Sequence, residues 1–594
     1  MAETIPGLFV RQAAVRGKDT LFLVKRQGAY QPISWRQAAD DITALAAFLL
    51  DRHVNSDDRI LILSENRPEW GLADIAIQSV GAWDVPVYPS LTAQDLQVIC
   101  ADCQPTLCIA STVEQSQKLL SVMATVPSIH GILLMDGAAP GDPRIIPWSE
   151  ALAQGWAKRQ TLQGMLDQRL SHLAPQHTAT LIYTSGTTGE PKGVMLSHDN
   201  FLSNVAACLQ VIPIHGQDIH LSFLPLSHVF ERMAGWYLML SVGAVIAYAE
   251  NMDTIPQNMM EVRPTIMLGV PRFFEKLYSR IQEALRQSPP SKQRIIGWAL
   301  GVGRQALALW SAGKPLPVGL ALQHWLADLL VFKKFRTKLG GRLRFFVSGS
   351  APLAKEIGEF FCSVGVTILE GYGLTETSPV IAANRLPIPR FGSVGPLIPG
   401  VEVRIADDGE ILTRGPHVMQ GYYNKPQVTA EMVVNGWLHT GDIGHLDEEG
   451  RLYITDRKKD LIKTAGGKFV APQKLENLFV TDPYIAQAFV YGDKQPYCVA
   501  LIVPHMEQLR RYAQEQEIGA LSVKELVRDA RVQAFYWGRV QVRQEGLASF
   551  EQVKKIALLD QEFSQASGEL TPTMKAKRSL IAQRHAAALQ QLYS

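Results

Sequence analysis

A chain of 594 residues exceeds what one hydrophobic core sustains, so about two to four domains or subdomains are expected. Its 58 Lys and Arg nearly balance 56 Asp and Glu, and a net charge of +2 excludes bulk electrostatic binding of nucleic acid. Six cysteines over this length exclude a disulfide framework.

The N-terminal stretch has no apolar segment long enough for a signal peptide, which predicts a cytoplasmic address. Through residues 1–180, helical patterns alternate with short apolar strands. Helices are expected over 35–50 and around 68–80, a strand over 59–63, and the pattern continues at 82–87, 95–101, 107–110 and 132–135. Alternation of this kind predicts parallel sheets covered by helices, with ligands at the carboxyl ends of strands. Cys100 and Cys103 form a CxxC near Cys108, but no second ligand pair or thioredoxin-like context accompanies it, so buried free thiols are expected.

Residues 181–200 read LIYTSGTTGEPKGVMLSHDN. A strand enters a loop of Thr184, Ser185, Gly186, Thr187, Thr188 and Gly189, followed by Lys192. Small residues let backbone N–H groups and hydroxyls approach a polyphosphate, and the lysine adds a point charge. No Gly-Lys-Ser/Thr follows, so this is not a Walker A loop. Alone, it reads equally as an ordinary turn.

His228 follows a strand and Pro225, where it serves either as a structural hydrogen-bonding group or as the lining of a pocket mouth. Residues 233–249 carry no charge across 17 positions, but Gly243 interrupts them, so a core helix and strand are expected rather than a membrane span. Residues 279–342 look like an insertion punctuated by Pro and Gly. Within it Leu322, Trp325, Leu326, Leu329 and Leu330 share one helical face, followed by Lys333, Lys334, Arg336 and Lys338. Either this helix packs on its own domain, or it lies on a membrane surface with its lysines at anionic headgroups.

Strands over 343–347 and 366–369 are expected to end in two small-residue loops. The first carries Ser348, Gly349, Ser350, Ala351 and Pro352; the second carries Glu370, Gly371, Tyr372, Gly373, Leu374, Thr375, Glu376 and Thr377. Such loops could wall a nucleotide pocket, with Tyr372 on a base and Glu376 as a hard oxygen ligand for Mg2+. Short strands and turns after 392 predict a β-rich subdomain, and Asp442 could accept from ribose hydroxyls. The charged block 455–467 suits an exposed linker, a smaller α/β unit follows, and the tail places Lys575 and Lys577 just after a Pro turn.

Taken together, TSGTTGEPKGV, PLSHVFER, SGSAP, EGYGLTET, GWLHTGD, DRKKDLIK and GELTPTMKAKR occur in this order across nearly the whole chain. The set resembles the adenylate-forming (AMP-binding) superfamily, in particular its long-chain fatty acyl-CoA synthetase branch. The resemblance implies an α/β fold. A large N-terminal domain over 1–456 would hold two α/β sheets and a small β-rich subdomain, and a smaller mobile α+β domain would span 457–594. It implies two steps: a fatty acid carboxylate and ATP give an acyl-adenylate and pyrophosphate, then a thiol displaces AMP. Coenzyme A is the implied acceptor, with acyl carrier protein as the alternative. A non-catalytic lipid-binding scaffold conflicts with the presence of Lys192, Glu376, Asp442, Arg457 and Lys575 together.

By the same resemblance, Thr184, Ser185, Gly186, Thr187, Thr188, Gly189 and Lys192 would hold the β- and γ-phosphates. Gly349, Ser350, Ala351, Pro352, Gly371 and Gly373 would frame adenine, with Tyr372 on its face. Thr375 would contact the α-phosphate, Glu376 would bind Mg2+, and Asp442 and Arg457 would hold the ribose. His228 would sit between acyl and nucleotide sites, and Lys459 would be the hinge. Lys575 would bridge the carboxylate and α-phosphate, with Lys577 as its alternative. Peripheral contact with the inner face of a membrane would run through 279–342.

Overall fold

A computed structural model of the protein describes residues 3–137, 141–185, 190–571 and 574–594, with Ser185 described by its backbone alone. Among these residues, two eight-stranded sheets dominate the first two thirds of the chain. The first runs in space from Gly421–Tyr422 through Pro191–Ser197, Thr178–Ser185, Trp83–Val87, Arg59–Leu63 and Leu107–Ala110 to Ile132–Leu134 and Ile145–Pro147. Its central strands are parallel, and runs such as RILIL are buried because helices cover both faces. The helix Trp35–Asp51 begins at a capping box in which Ser34 and Gln37 bond each other's backbone.

The second sheet runs from Val380–Ala383 through Thr367–Gly373, Phe345–Ser348, Ile266–Gly269, Ile219–Ser222 and Val245–Tyr248 to Thr20–Arg26 and Ala29–Ser34. A six-stranded antiparallel sheet follows, containing Trp437–Leu446 and Arg451–Arg457. Near the C-terminus, Ile485–Tyr491, Cys498–Pro504 and Val553–Leu558 form a three-stranded sheet with its own core. The expected large α/β domain, β-rich subdomain and small C-terminal unit are thus all present.

The uncharged run 233–249 lies in the core. Its first part continues a π-helical turn, Glu231–Tyr237, which passes into the helix Leu238–Val242; Gly243 then turns with φ +74° into the strand Val245–Tyr248. No helix among the described residues is long and apolar enough to cross a membrane. The π turn places Arg232 in a closed polar layer, where it donates to Thr180 (2.7 Å), Asp74 (2.5 Å) and Asp84 (2.6 Å). Burial, opposed by Arg232 and reinforced by the neighbouring Asp84, raises the Asp74 carboxyl above its ordinary value, while the Arg232 guanidinium is held charged by the two carboxylates against its own desolvation. All six cysteines are free and buried, as expected.

Four expectations need correction. Strand Thr367–Gly373 does not stop at residue 369: Gly371 and Tyr372 pair with Ala383 and Ala382, so the second small-residue segment is itself strand. Thr455, Asp456 and Arg457 belong to the strand Arg451–Arg457, and Asp456 is buried, so the charged block becomes a connection only beyond Arg457. The insertion begins inside a continuous helix, Pro271–Arg286, which crosses the expected boundary. Finally, packing on its own domain does not cover the part of the face that carries Leu322, Trp325 and Leu329; Leu322 is 60 % and Trp325 59 % exposed. The helix Val318–Ala327 instead docks through Ala327, and Phe332 follows it into the core.

Candidate active site

The two large sheets and the antiparallel sheet bring distant sequence segments to one cleft. Strands Thr178–Ser185 and Pro191–Ser197 form a hairpin in which Thr184 lies opposite Lys192. The expected phosphate contacts Gly186, Thr187, Thr188 and Gly189 lie outside the described residues. The Lys192 ammonium sits 5.2 Å from the centre of the Tyr422 ring. Tyr422 donates its hydroxyl to Glu376 Oε1 at 2.8 Å. Glu376 and Thr375 lie on a single 3-10 turn, Thr375–Thr377, just beyond the strand Thr367–Gly373.

Gly349 and Gly373 are required by close approaches. A Cβ on Gly373 would lie 1.6 Å from the Pro379 carbonyl oxygen, and one on Gly349 would press on the Phe230 ring at 3.1 Å. Ser350 follows with φ +72° and lines the apolar cavity described below. The Pro352 carbonyl accepts a long bond (3.5 Å) from Asn477 in the C-terminal segment.

Asp442 and Arg457 are cross-strand neighbours in the antiparallel sheet. Arg457 Nε donates to Asp442 Oδ1 (3.1 Å), and the Tyr372 hydroxyl donates to Asp442 Oδ2 (2.8 Å). Burial and the adjacent Asp442 charge push the Tyr372 phenol well above its ordinary value. Lys459 lies two residues beyond Arg457, just past the end of that strand.

Lys575 reaches the same cleft from the C-terminal segment. Thr571 N–H donates to the Lys575 carbonyl (2.8 Å), and Met574, just before Lys575, adopts φ +64°. Arg578 secures the far side by donating to both Glu476 oxygens (2.8 and 3.1 Å) and to the Val490 carbonyl. Lys575 keeps accessible surface because it faces the cleft, but the protein packed around it desolvates the ammonium. That desolvation, with Arg457 nearby, lowers its pKa to about 8 against the opposing pull of Asp442 and Glu376. His228 feels Lys575 in turn: burial, reinforced by that charge, lowers its pKa to about 3. The imidazole is therefore neutral, and since its Nδ1 accepts from Phe230 N–H (3.2 Å), its proton is assigned to Nε2. Lys577, the alternative to Lys575, caps the following helix, and its N–H donates to the Glu569 carbonyl (2.8 Å).

His228, Ser350 and Met574 also line an apolar cavity of about 1150 Å³. Pockets for drug-sized ligands are about 300–1,000 Å³, so this one suits a longer occupant. Phe273, Leu277 and Ile281 of the helix Pro271–Arg286 form one wall, and Ile295 and Leu330 of the exposed helices contribute another. Near both ends of Pro271–Arg286, side chains also meet the C-terminal segment. Arg272 donates to the Ala486 carbonyl (2.5 Å), and Glu283 accepts from Gln508 and pairs with Arg511 at 3.5 Å.

The AMP-binding enzyme family matches residues 9–423, and the C-terminal domain of AMP-binding enzymes matches residues 459–594. The chain belongs to this family. Relatives of this AMP-binding enzyme include the long-chain-fatty-acid–CoA ligase FadD15 of Mycobacterium bovis, 35 % identical, covering 96 % of this chain and 93 % of that protein. The peroxisomal long chain acyl-CoA synthetase 6 of Arabidopsis thaliana is 33 % identical over 95 % of this chain and 82 % of its own. Among solved structures, the A domain of a carboxylic acid reductase from Segniliparus rugosus, in complex with AMP and a carboxylic acid, shares the fold. Its TM-score is 0.77 at 22 % identity, covering 100 % of this chain and 94 % of that one. The anthranilate CoA ligase AuaEII, in complex with anthranoyl-AMP, does so at 0.73 and 19 %, covering 99 % and 98 %.

Glu370, expected to open the second loop, instead ends the buried part of its strand, and burial raises its pKa to about 8, opposed by a bond from Leu353 N–H. One residue of the AMP-binding enzyme's cleft escapes a reading of the sequence. Tyr422 stands in Gly421-Tyr422-Tyr423-Asn424, a segment with turn-like composition and no catalytic signature. Only its pairing with the hairpin strand at Val194 brings it to Glu376.

Proposed function

We propose that the protein activates a long-chain fatty acid with ATP and then transfers the acyl group to coenzyme A. The observation carrying this reading is the convergence of Lys575, Arg457, Asp442, Glu376 and neutral His228 on one cleft that shares its lining with a large apolar cavity. The names of the full-length relatives supply the substrate class.

A carboxylate is a poor electrophile, so its oxygen first attacks the α-phosphorus of ATP and pyrophosphate leaves. The Lys575 ammonium bridges the two approaching anions, which is positioning together with charge stabilisation. Lys192 and the hairpin loop hold the departing phosphates, while Asp442 and Arg457 hold the ribose. Gly349, Ala351, Pro352, Gly371 and Gly373 frame the base, and Ser350 turns toward the acyl side. Glu376 Oε2 has no hydrogen-bond partner among the described residues, and a single carboxylate beside a triphosphate is a donor set that suits Mg2+. Held there by Glu376, Mg2+ would supply positive charge that offsets the phosphates. The thiol of coenzyme A then attacks the acyl carbonyl and AMP departs. The chain beyond Lys459 would turn about that residue between the two steps, removing Lys575 from the cleft, while Arg457 stays in its strand beside Asp442.

Purified protein with ATP, Mg2+ and fatty acids of graded length, offered coenzyme A or acyl carrier protein, tests this. Acyl-CoA, AMP and pyrophosphate are expected. Thioester on acyl carrier protein alone would overturn the acceptor, and AMP release without any thioester would overturn the substrate class. Lys575→Ala should lower pyrophosphate exchange by about a hundredfold or more while sparing thioester formation from supplied acyl-adenylate.

The exposed face of residues 318–330 supports a second component, peripheral contact with a membrane surface at a cytoplasmic location. Leu322, Trp325 and Leu329 project outward, with Lys333, Lys334 and Lys338 following. Apolar groups at a headgroup boundary flanked by lysines are the composition of an interfacial helix.

A further inference from the structure

Tyr422 is the point where two charged side chains of the cleft, Glu376 and Lys192, touch one phenol. It is 4 % exposed and held from behind by its own N–H, which donates to Thr429 Oγ1 at 2.9 Å. Its strand completes the edge of the first sheet: Gly421 lies opposite Met195 and Tyr422 opposite Val194, with Tyr423 N–H donating to the Gly193 carbonyl (2.8 Å). Three residues earlier, Met419 N–H donates to the Glu376 carbonyl (2.9 Å), so the same strap is tied to the turn of the second sheet. The side chain repeats this bridge. Its hydroxyl donates to Glu376 Oε1 and its ring face lies under the Lys192 ammonium.

The physical consequence concerns two opposite charges in one cleft. Lys192 and Glu376 are flexible side chains, and in a partly desolvated site they would gain by pairing with each other. A Lys192–Glu376 pair would cancel both the phosphate grip and the metal ligand. No such pair within 4.0 Å occurs among the described residues; each charge instead satisfies itself on a different part of Tyr422. A phenol serves both, since its hydroxyl donates to a carboxylate and its π face attracts a cation. Occupying Oε1 also leaves Oε2 available to a metal.

We infer that Tyr422 is a positioning residue for adenylation, holding Glu376 ready for the metal–triphosphate and keeping Lys192 apart from it. The inference rests on the reading of Glu376 as the Mg2+ ligand and Lys192 as the phosphate grip, and it separates the two functions of one side chain. Tyr422→Phe removes the hydroxyl and keeps the spacer; Tyr422→Leu removes both.

Calorimetric ATP affinity measured in EDTA and in Mg2+, alongside the two half-reactions, reads these functions independently. In Tyr422→Phe, ATP affinity in EDTA should stay within about twofold, while affinity in Mg2+ and the metal concentration for half-maximal pyrophosphate exchange should worsen about tenfold, the scale of one hydrogen bond to a charged group. In Tyr422→Leu, ATP binding should weaken in both conditions. Thioester formation from supplied acyl-adenylate should be retained in Tyr422→Phe, an asymmetry that general loss of packing would not produce. Wild-type metal dependence in Tyr422→Phe, beside a shifted Glu376→Gln, overturns the inference. Equal loss in every assay also overturns it. An unshifted Glu376→Gln overturns the metal assignment itself, and the inference falls with it.

Discussion

Lys575 sits between opposing influences, and the balance predicts how the first half-reaction depends on pH. Burial and Arg457 lower its pKa to about 8, less Asp442 and Glu376. The charged form is the one that can bridge two anions. It predominates below about pH 8 and is lost as pH rises through that value, so kcat/KM for adenylation should fall on the alkaline side. Arginine stays charged throughout this range, so Lys575→Arg should lower the rate and abolish the alkaline limb. A limb that persists in that variant would assign it to another group. His228, with a pKa of about 3, stays neutral across this range and adds no second limb near neutrality. The approximate places of these residues are legible in the sequence because each stands in a short motif. Their mutual distances are not, because Lys575 and His228 are separated by most of the chain and meet only through tertiary packing.

The elements show the same division between local and distant information. The strand Arg59–Leu63 falls where its apolar run predicts, because burial on both faces leaves a strong local pattern. The segment 371–373 defeats local reading. Its glycines suggest a loop, but the strand Val380–Ala383 returns to pair with it, and a paired partner is not visible in a propensity. The helix Val318–Ala327 is the reverse case: its apolar stripe reads as core or as membrane surface from sequence, and only exposure separates the two. Because Trp325 and Leu329 are exposed, Trp325→Glu with Leu329→Glu should change folding stability by less than about 1 kcal/mol, as surface substitutions do. The same pair should abolish co-flotation with vesicles containing anionic lipid. Undiminished flotation would remove this face from membrane contact.

For the molecule as a whole, rotation of the chain beyond Lys459 would have to break a defined set of bonds. Asn477 to Pro352, Arg272 to Ala486, and Glu283 to Gln508 and Arg511 all hold the C-terminal segment where Lys575 faces the cleft. Proline at the expected hinge fixes one backbone torsion. Lys459→Pro should therefore leave pyrophosphate exchange within about tenfold and lower thioester formation by about a hundredfold; equal effects on both steps would place the pivot elsewhere. Most of these holding bonds converge on the helix Pro271–Arg286, which also carries the cavity-lining Phe273, Leu277 and Ile281. For anyone redesigning chain-length preference, that helix is the wrong wall to carve. A substitution at Leu277 that shifts this helix would disturb Arg272 and Glu283 as well as the cavity, mixing the two effects in a screen. Ile295 and Leu330, on the far wall, make none of these bonds and offer the cleaner engineering handle.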